Sequence, residues 1–231
     1  MKTIGLIGGT SWVSTIDYYR IINQTVNDRL GNNNSAKILL YSVNFEEIAV
    51  FTRQGDWKAI ENILSTAAKN LEGAGADCML LCANTMHIIA AEVQAAIDIP
   101  LIHIADVILK AIKKMECKKV LLLGTKYTME ASFYTDRLQP EGIEIIIPDA
   151  AERELINDAI YNELGKGIFL PATKRHFIDI IEKYKNRGAE AVILGCTEIP
   201  LIITAAECSI PLFDTLLLHA TAAVDEALDA N

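Results

Sequence analysis

Short apolar runs alternate with helix-length amphipathic segments along this chain. The runs fall at residues 3–7, 37–43, 78–81, 101–104, 120–123, 143–147, 191–194 and 211–213. Between them, residues 57–73, 85–96, 152–164 and 177–188 place apolar side chains at helical spacing. Such alternation predicts a mostly parallel sheet covered by helices. Ser14 and Thr15 are placed to cap and start a helix through Tyr18 and Tyr19. Asp214-Thr215 opens a last, alanine-rich helix, expected to pack back on the first part of the fold.

The pattern also repeats. Gly75-Ala76-Asp77 and Leu81 return as Gly188-Ala189-Glu190 and Leu194; Ile7-Gly8-Gly9 returns as Leu123-Gly124-Thr125. Tyr18 finds a counterpart in Tyr134, and Ile99-Pro100-Leu101 in Ile210-Pro211-Leu212. The offsets lie between 111 and 116 residues and keep their order, which points to internal duplication. The expectation is an α/β fold of two pseudo-symmetric domains, each a mostly parallel sheet flanked by helices: residues 1–105 plus 208–231, and residues 106–207. Ligands of open α/β sheets bind outside the carboxyl ends of the strands. A cleft between the domains would then be lined by residues 8–15 and 83–87 from one, and by 124–130 and 196–198 from the other.

Composition narrows the partners. A formal net charge of −9 argues against nucleic acid, whose phosphates require clustered Lys and Arg. No apolar run is long enough to span a bilayer, and Met1-Lys2-Thr3 leads straight into a strand-like run without the features of a secretory signal. The five cysteines (Cys78, Cys82, Cys117, Cys196 and Cys208) form no Cys-x-x-Cys pair, and His87, His103, His176 and His219 show no metal-ligand spacing. A reduced cytoplasmic protein without a metal or membrane partner is expected.

Leu194-Gly195-Cys196-Thr197-Glu198 puts a thiol where a strand stops and a helix starts. Free amides at a helix start favour a bound carboxylate and are expected to lower the pKa of a thiol beside them. A thiolate there serves as general base or nucleophile; otherwise Cys196 is a buried structural cysteine. By the repeat, Ala83 matches Cys196 and Asn84 matches Thr197. Asn84 and Thr85 either bind a ligand or cap the next helix. His87 reads as a packing residue. Glu198 either orients Cys196 or caps its own helix start, with capping the simpler assignment.

Gly8-Gly9-Thr10-Ser11-Trp12, Cys82-Ala83-Asn84-Thr85-Met86-His87 and Gly195-Cys196-Thr197-Glu198 together resemble the signatures of the aspartate/glutamate racemase family, at matching spacing over essentially the whole chain. That resemblance implies a cofactor-independent enzyme, usually a homodimer, that removes the α-proton of an amino-acid substrate and returns one from the opposite face. It makes Cys196 the main acid/base and Ala83 the position of the family's first catalytic residue. It also makes Thr10, Thr52, Asn84, Thr85, Thr197 and Glu198 substrate contacts.

The chain departs from the family at Ala83, where most members carry cysteine; Cys82 stands one residue early and points to the other face of its strand. Ile48 and Gly165 occupy the places of two basic residues, with Arg53 and Lys166 nearby, and Thr10 replaces a methionine. Beside a racemase for aspartate, glutamate or a broader set, two alternatives follow: a single-cysteine decarboxylase or isomerase of the same superfamily, or a catalytically impaired amino-acid-binding paralogue.

Overall fold

In the computed structural model, which describes residues 1–229, seven of the eight predicted runs become parallel strands. The chain begins β1 (Thr3–Gly8), α1 (Trp12–Leu30), β2 (Lys37–Ser42), α2 (Phe45–Gln54), α3 (Trp57–Gly73), β3 (Cys78–Leu81) and, after a 3-10 turn at Thr85–Ile89, α4 (Ala90–Gln94). It continues α5 (Ile104–Lys114), β4 (Lys119–Gly124), α6 (Lys126–Glu130), α7 (Thr135–Leu138), β5 (Glu144–Ile146), α8 (Ala150–Asn162), α9 (Pro171–Lys185) and β6 (Ala191–Gly195). A 3-10 turn at Ile199–Leu201, β7 (Leu212–Asp214) and α10 (Thr215–Leu228) complete it.

Two units result: one of Met1–His103 closed by the chain from His219 onward, the other of Ile104–Leu218. The sequence placed the return at residue 208. Instead β7 pairs in parallel with β6, so the stretch before it stays with the second unit. The first sheet has the order β2-β1-β3 and the second β5-β4-β6-β7, with every pairing parallel. Residues 101–104 do not form a strand. Leu101 makes one bridge to Met79, and Ile104 already begins α5.

The duplication holds in atomic detail within each unit. Gly75 and Gly188 both take left-handed φ, +97° and +95°, and so turn a helix end into the next strand. Asp77 Oδ2 then accepts from Thr3 N at 2.6 Å, while Glu190 Oε2 accepts from Lys118 N and Lys119 N. Each carboxylate clips the entry of its sheet's first strand. Likewise Met79 N donates to Pro100 O and Val192 N to Pro211 O, both at 2.9 Å. Tyr18 and Tyr134 are both fully buried.

The first unit's core shows why the helical spacing was readable. α3 buries Ile60, Leu64, Ala67, Ala68 and Leu71 on one stripe, against Ile7, Met79 and Leu81 of the sheet. The expected cap of α1 needs correction. Ser11 is its N-cap, accepting from Ser14 N, while Thr15 Oγ1 donates to Ser11 O at 2.7 Å. The same Thr15 hydroxyl accepts from Gly9 N at 3.0 Å, so it fastens the loop that carries Thr10. A side chain at Gly9 would meet Val43 O at 2.2 Å, and its φ is +86°; only glycine fits this turn.

Candidate functional site

Cys196 follows β6 directly and is buried, 7 % exposed. Gly195 lets the strand end pack tightly, because an added Cβ would lie 2.8 Å from Leu123 O and 2.9 Å from Leu122 Cδ1. Thr215 Oγ1 donates to Leu194 O at 2.8 Å and holds the last turn of the strand from behind. The thiol donates to Glu198 Oε2 at 3.1 Å, and Thr197 Oγ1 donates to the same oxygen at 2.8 Å. Glu198 Oε1 is buried with no hydrogen-bond partner.

Two expectations change here. Glu198 makes no side-chain cap bond to the Ile199–Leu201 turn; its carboxylate holds the thiol and Thr197 instead. The Cys196 thiol is pushed well above its ordinary range, first by burial and then by the Glu198 charge. The Glu198 and Ile199 amides pull the other way, but the larger effects win. A helix start is a weak donor set when the helix is a three-residue 3-10 turn.

The first unit's strand end presents Ala83, Asn84 and Thr85 after β3. Asn84 and Thr85 are buried, and Asn84 makes no side-chain cap bond to the turn it precedes. Cys82 is fully buried, its amide donates to Ile7 O, and burial pushes its thiol far up. Thr10 Oγ1, in the loop after β1, is buried without a hydrogen-bond partner. An unmade hydrogen bond in a buried hydroxyl costs about 1–3 kcal/mol, the kind of deficit that a ligand removes. Thr52 is buried, but its hydroxyl donates to Ile48 O at 2.7 Å inside α2, which commits its proton.

The cations considered from the sequence lie elsewhere. Arg53 pairs with Glu46 at 2.8 Å on the exposed face of α2, and Lys166 is exposed in the turn after α8. Ile48 is buried. Lys126, just past β4, pairs with Glu154 at 2.6 Å. Among the described residues no group of three or more His, Cys, Asp or Glu is arranged to hold a metal ion, and no helix is long and apolar enough to cross a membrane.

His87 is fully buried beneath the first strand end. Its Nδ1 lies 2.9 Å from Ala83 O and 3.3 Å from Asn84 O, and since carbonyls only accept, Nδ1 carries the proton. His103 and His219 stand edge-on to its ring, at 4.7 Å and 5.5 Å between centroids. His219 Nε2 donates to Ile102 O at 2.7 Å, which leaves Nδ1 to accept from Tyr18 Oη at 2.9 Å. The four side chains come from positions scattered over the sequence, so no local motif announces them.

Comparison with known proteins matches residues 7–223 to the Asp/Glu/Hydantoin racemase family model. The broad specificity amino-acid racemase RacX of Bacillus subtilis (strain 168) is 26 % identical over 163 residues, 69 % of each chain. Among solved structures, a Yersinia pestis protein provisionally assigned as an Asp/Glu racemase is 48 % identical. Its TM-score is 0.92, with 99 % of this chain and all of that one covered. An aspartate racemase homologue from Pyrococcus horikoshii OT3 is 36 % identical, with a TM-score of 0.86 over 99 % of this chain and all of that one.

Proposed function

Because the chain belongs to the Asp/Glu/hydantoin racemase family, we propose that it is a cofactor-independent amino-acid racemase in which Cys196 moves the α-proton. The observation that carries this reading is the pair at the end of β6, a buried thiol donating to a buried carboxylate with one oxygen to spare. Glu198 takes the thiol proton; the thiolate then removes Cα–H from the bound amino acid and is itself a thiol again. The electron pair left on Cα spreads into the α-carboxylate. Amides near Thr197-Glu198 and Asn84-Thr85, with the Thr10 hydroxyl, meet that charge. A water on the Ala83 face returns a proton to Cα, since Cys82 is buried away from solvent, and the hydroxide left behind is neutralised by the proton that Glu198 releases to solvent. Thr52 is the weakest of the proposed contacts, because its proton is already committed.

The same reading makes the protein a cytoplasmic homodimer. The exposed apolar positions Trp12, Ile16 and Tyr19 along one side of α1 support a second copy; the solution mass from light scattering checks it.

α-Proton exchange in D2O, followed by NMR for L- and D-aspartate and L- and D-glutamate, tests the function. Exchange in both enantiomers that Cys196→Ser abolishes is the expected result. Exchange in one enantiomer only, extended to both by Ala83→Cys, makes the protein a racemase short of one acid. No exchange in any variant rejects the racemase. A second reading is favoured by Ala83 itself: with one thiol, the site suits protonation of an enediolate after decarboxylation. Racemic product from a chiral substrate would exclude that.

A further inference from the structure

The two units fix equivalent turns by different means. After β6, the position matching His87 is Pro200, whose ring presets the backbone of the Ile199–Leu201 turn. After β3 there is no proline, and the 3-10 turn Thr85–Ile89 starts at Asn84 without a side-chain cap bond. One tie on this turn is the His87 Nδ1–H, which reaches back to Ala83 O at 2.9 Å and Asn84 O at 3.3 Å. The ring has little room to rotate, because His103 and His219 flank it and His219 is itself anchored to Ile102 O and Tyr18 Oη.

We propose that His87 is a positioning residue: its Nδ1–H holds the Ala83 carbonyl, and so aims the Asn84 and Thr85 amides at the substrate carboxylate. The inference rests on the racemase reading for the identity of the ligand, but not for the geometry. It assigns His87 a role that neither packing nor direct proton transfer supplies. The ring is fully buried, and its donor faces a backbone carbonyl.

Two substitutions separate the donor from the ring. His87→Asn keeps an N–H close to the Nδ1 position and gives up most of the ring. His87→Phe keeps the ring and gives up the donor. With the exchange assay as readout, His87→Phe is expected to raise KM about tenfold, the effect of one lost hydrogen bond in the turn. Its kcat should change far less. His87→Asn should stay within about threefold of the parent. The Ala83 carbonyl 13C resonance, read in the same proteins without substrate, should move in His87→Phe and stay in His87→Asn. Wild-type-like KM in His87→Phe, or equal impairment of both variants, overturns the proposal in favour of packing. If the parent exchanges none of the four amino acids, the racemase reading fails. The carbonyl resonance then decides alone: movement confined to His87→Phe upholds the positioning role, and an unmoved resonance overturns it.

Discussion

At Cys196 a single carboxylate does two opposed things. The Glu198 charge raises the thiol's pKa, yet Glu198 Oε2 is also the acceptor of its proton. Replacing Glu198 with Gln removes both effects and sets them against each other. The expected outcome is a thiol that ionises at lower pH, seen as faster iodoacetamide capture at neutral pH. The same variant should exchange the substrate α-proton about 10²-fold more slowly for want of the base. A variant that is both more reactive to the reagent and undiminished in exchange would leave Glu198 a structural residue. Gly195→Ala tests the packing beneath: the contacts of an added Cβ at 2.8–2.9 Å predict a loss of about 1–3 kcal/mol, checked by urea unfolding. The place of Cys196 directly after an apolar strand was legible in the sequence. The direction of its acidity was not, because burial and a neighbour's side-chain rotamer are not written in local sequence.

Among the elements, four histidine and tyrosine side chains form a polar seam in the first unit. Burial pushes His219 down to about 4 and His87 well below the ordinary histidine range. Above pH 6.5 these imidazoles are neutral folded or unfolded, and acidity changes nothing. As pH falls below 6.5 the unfolded chain takes up protons that the folded one refuses, so stability drops. For His219 the loss reaches roughly 3 kcal/mol by pH 4. Thermal midpoints measured across this window should fall steadily, and His219→Gln should flatten the slope. Tyr18→Phe leaves His219 Nδ1 without its donor and should cost about 1–3 kcal/mol at pH 7, read from the same melts. Most strands, and α3 to the residue, followed from apolar spacing. Residues 101–104 misled because a short apolar run reads alike as a strand and as a helix start. Here Leu101 takes a single bridge before α5 begins. The seam was invisible for another reason: its members are brought together by α1, the turn after β3, the residue just before α5 and the final helix, contacts that only the fold makes.

On the scale of the whole molecule, the second unit is a continuous stretch, whereas the first is completed by the segment that starts at His219. α10 buries Ala220, Ala223, Val224 and Ala227, and Lys2 N donates to Ala227 O at 2.9 Å. Both tryptophans, Trp12 and Trp57, belong to the first unit. Ending the chain after Leu218 should therefore shift tryptophan emission to the red, while circular dichroism retains a cooperative transition from the second unit. His219 and Ile102 are bonded across 117 residues, so the two strands of chain that lead into and out of the second unit run side by side at that point. Closing so long a loop from a disordered chain is entropically unfavourable. A second unit already folded behaves as a short, stiff bridge between the ends to be joined. On the ribosome, then, residues 1–103 are made ahead of the insert, wait through its synthesis, and become a complete unit only when α10 is released.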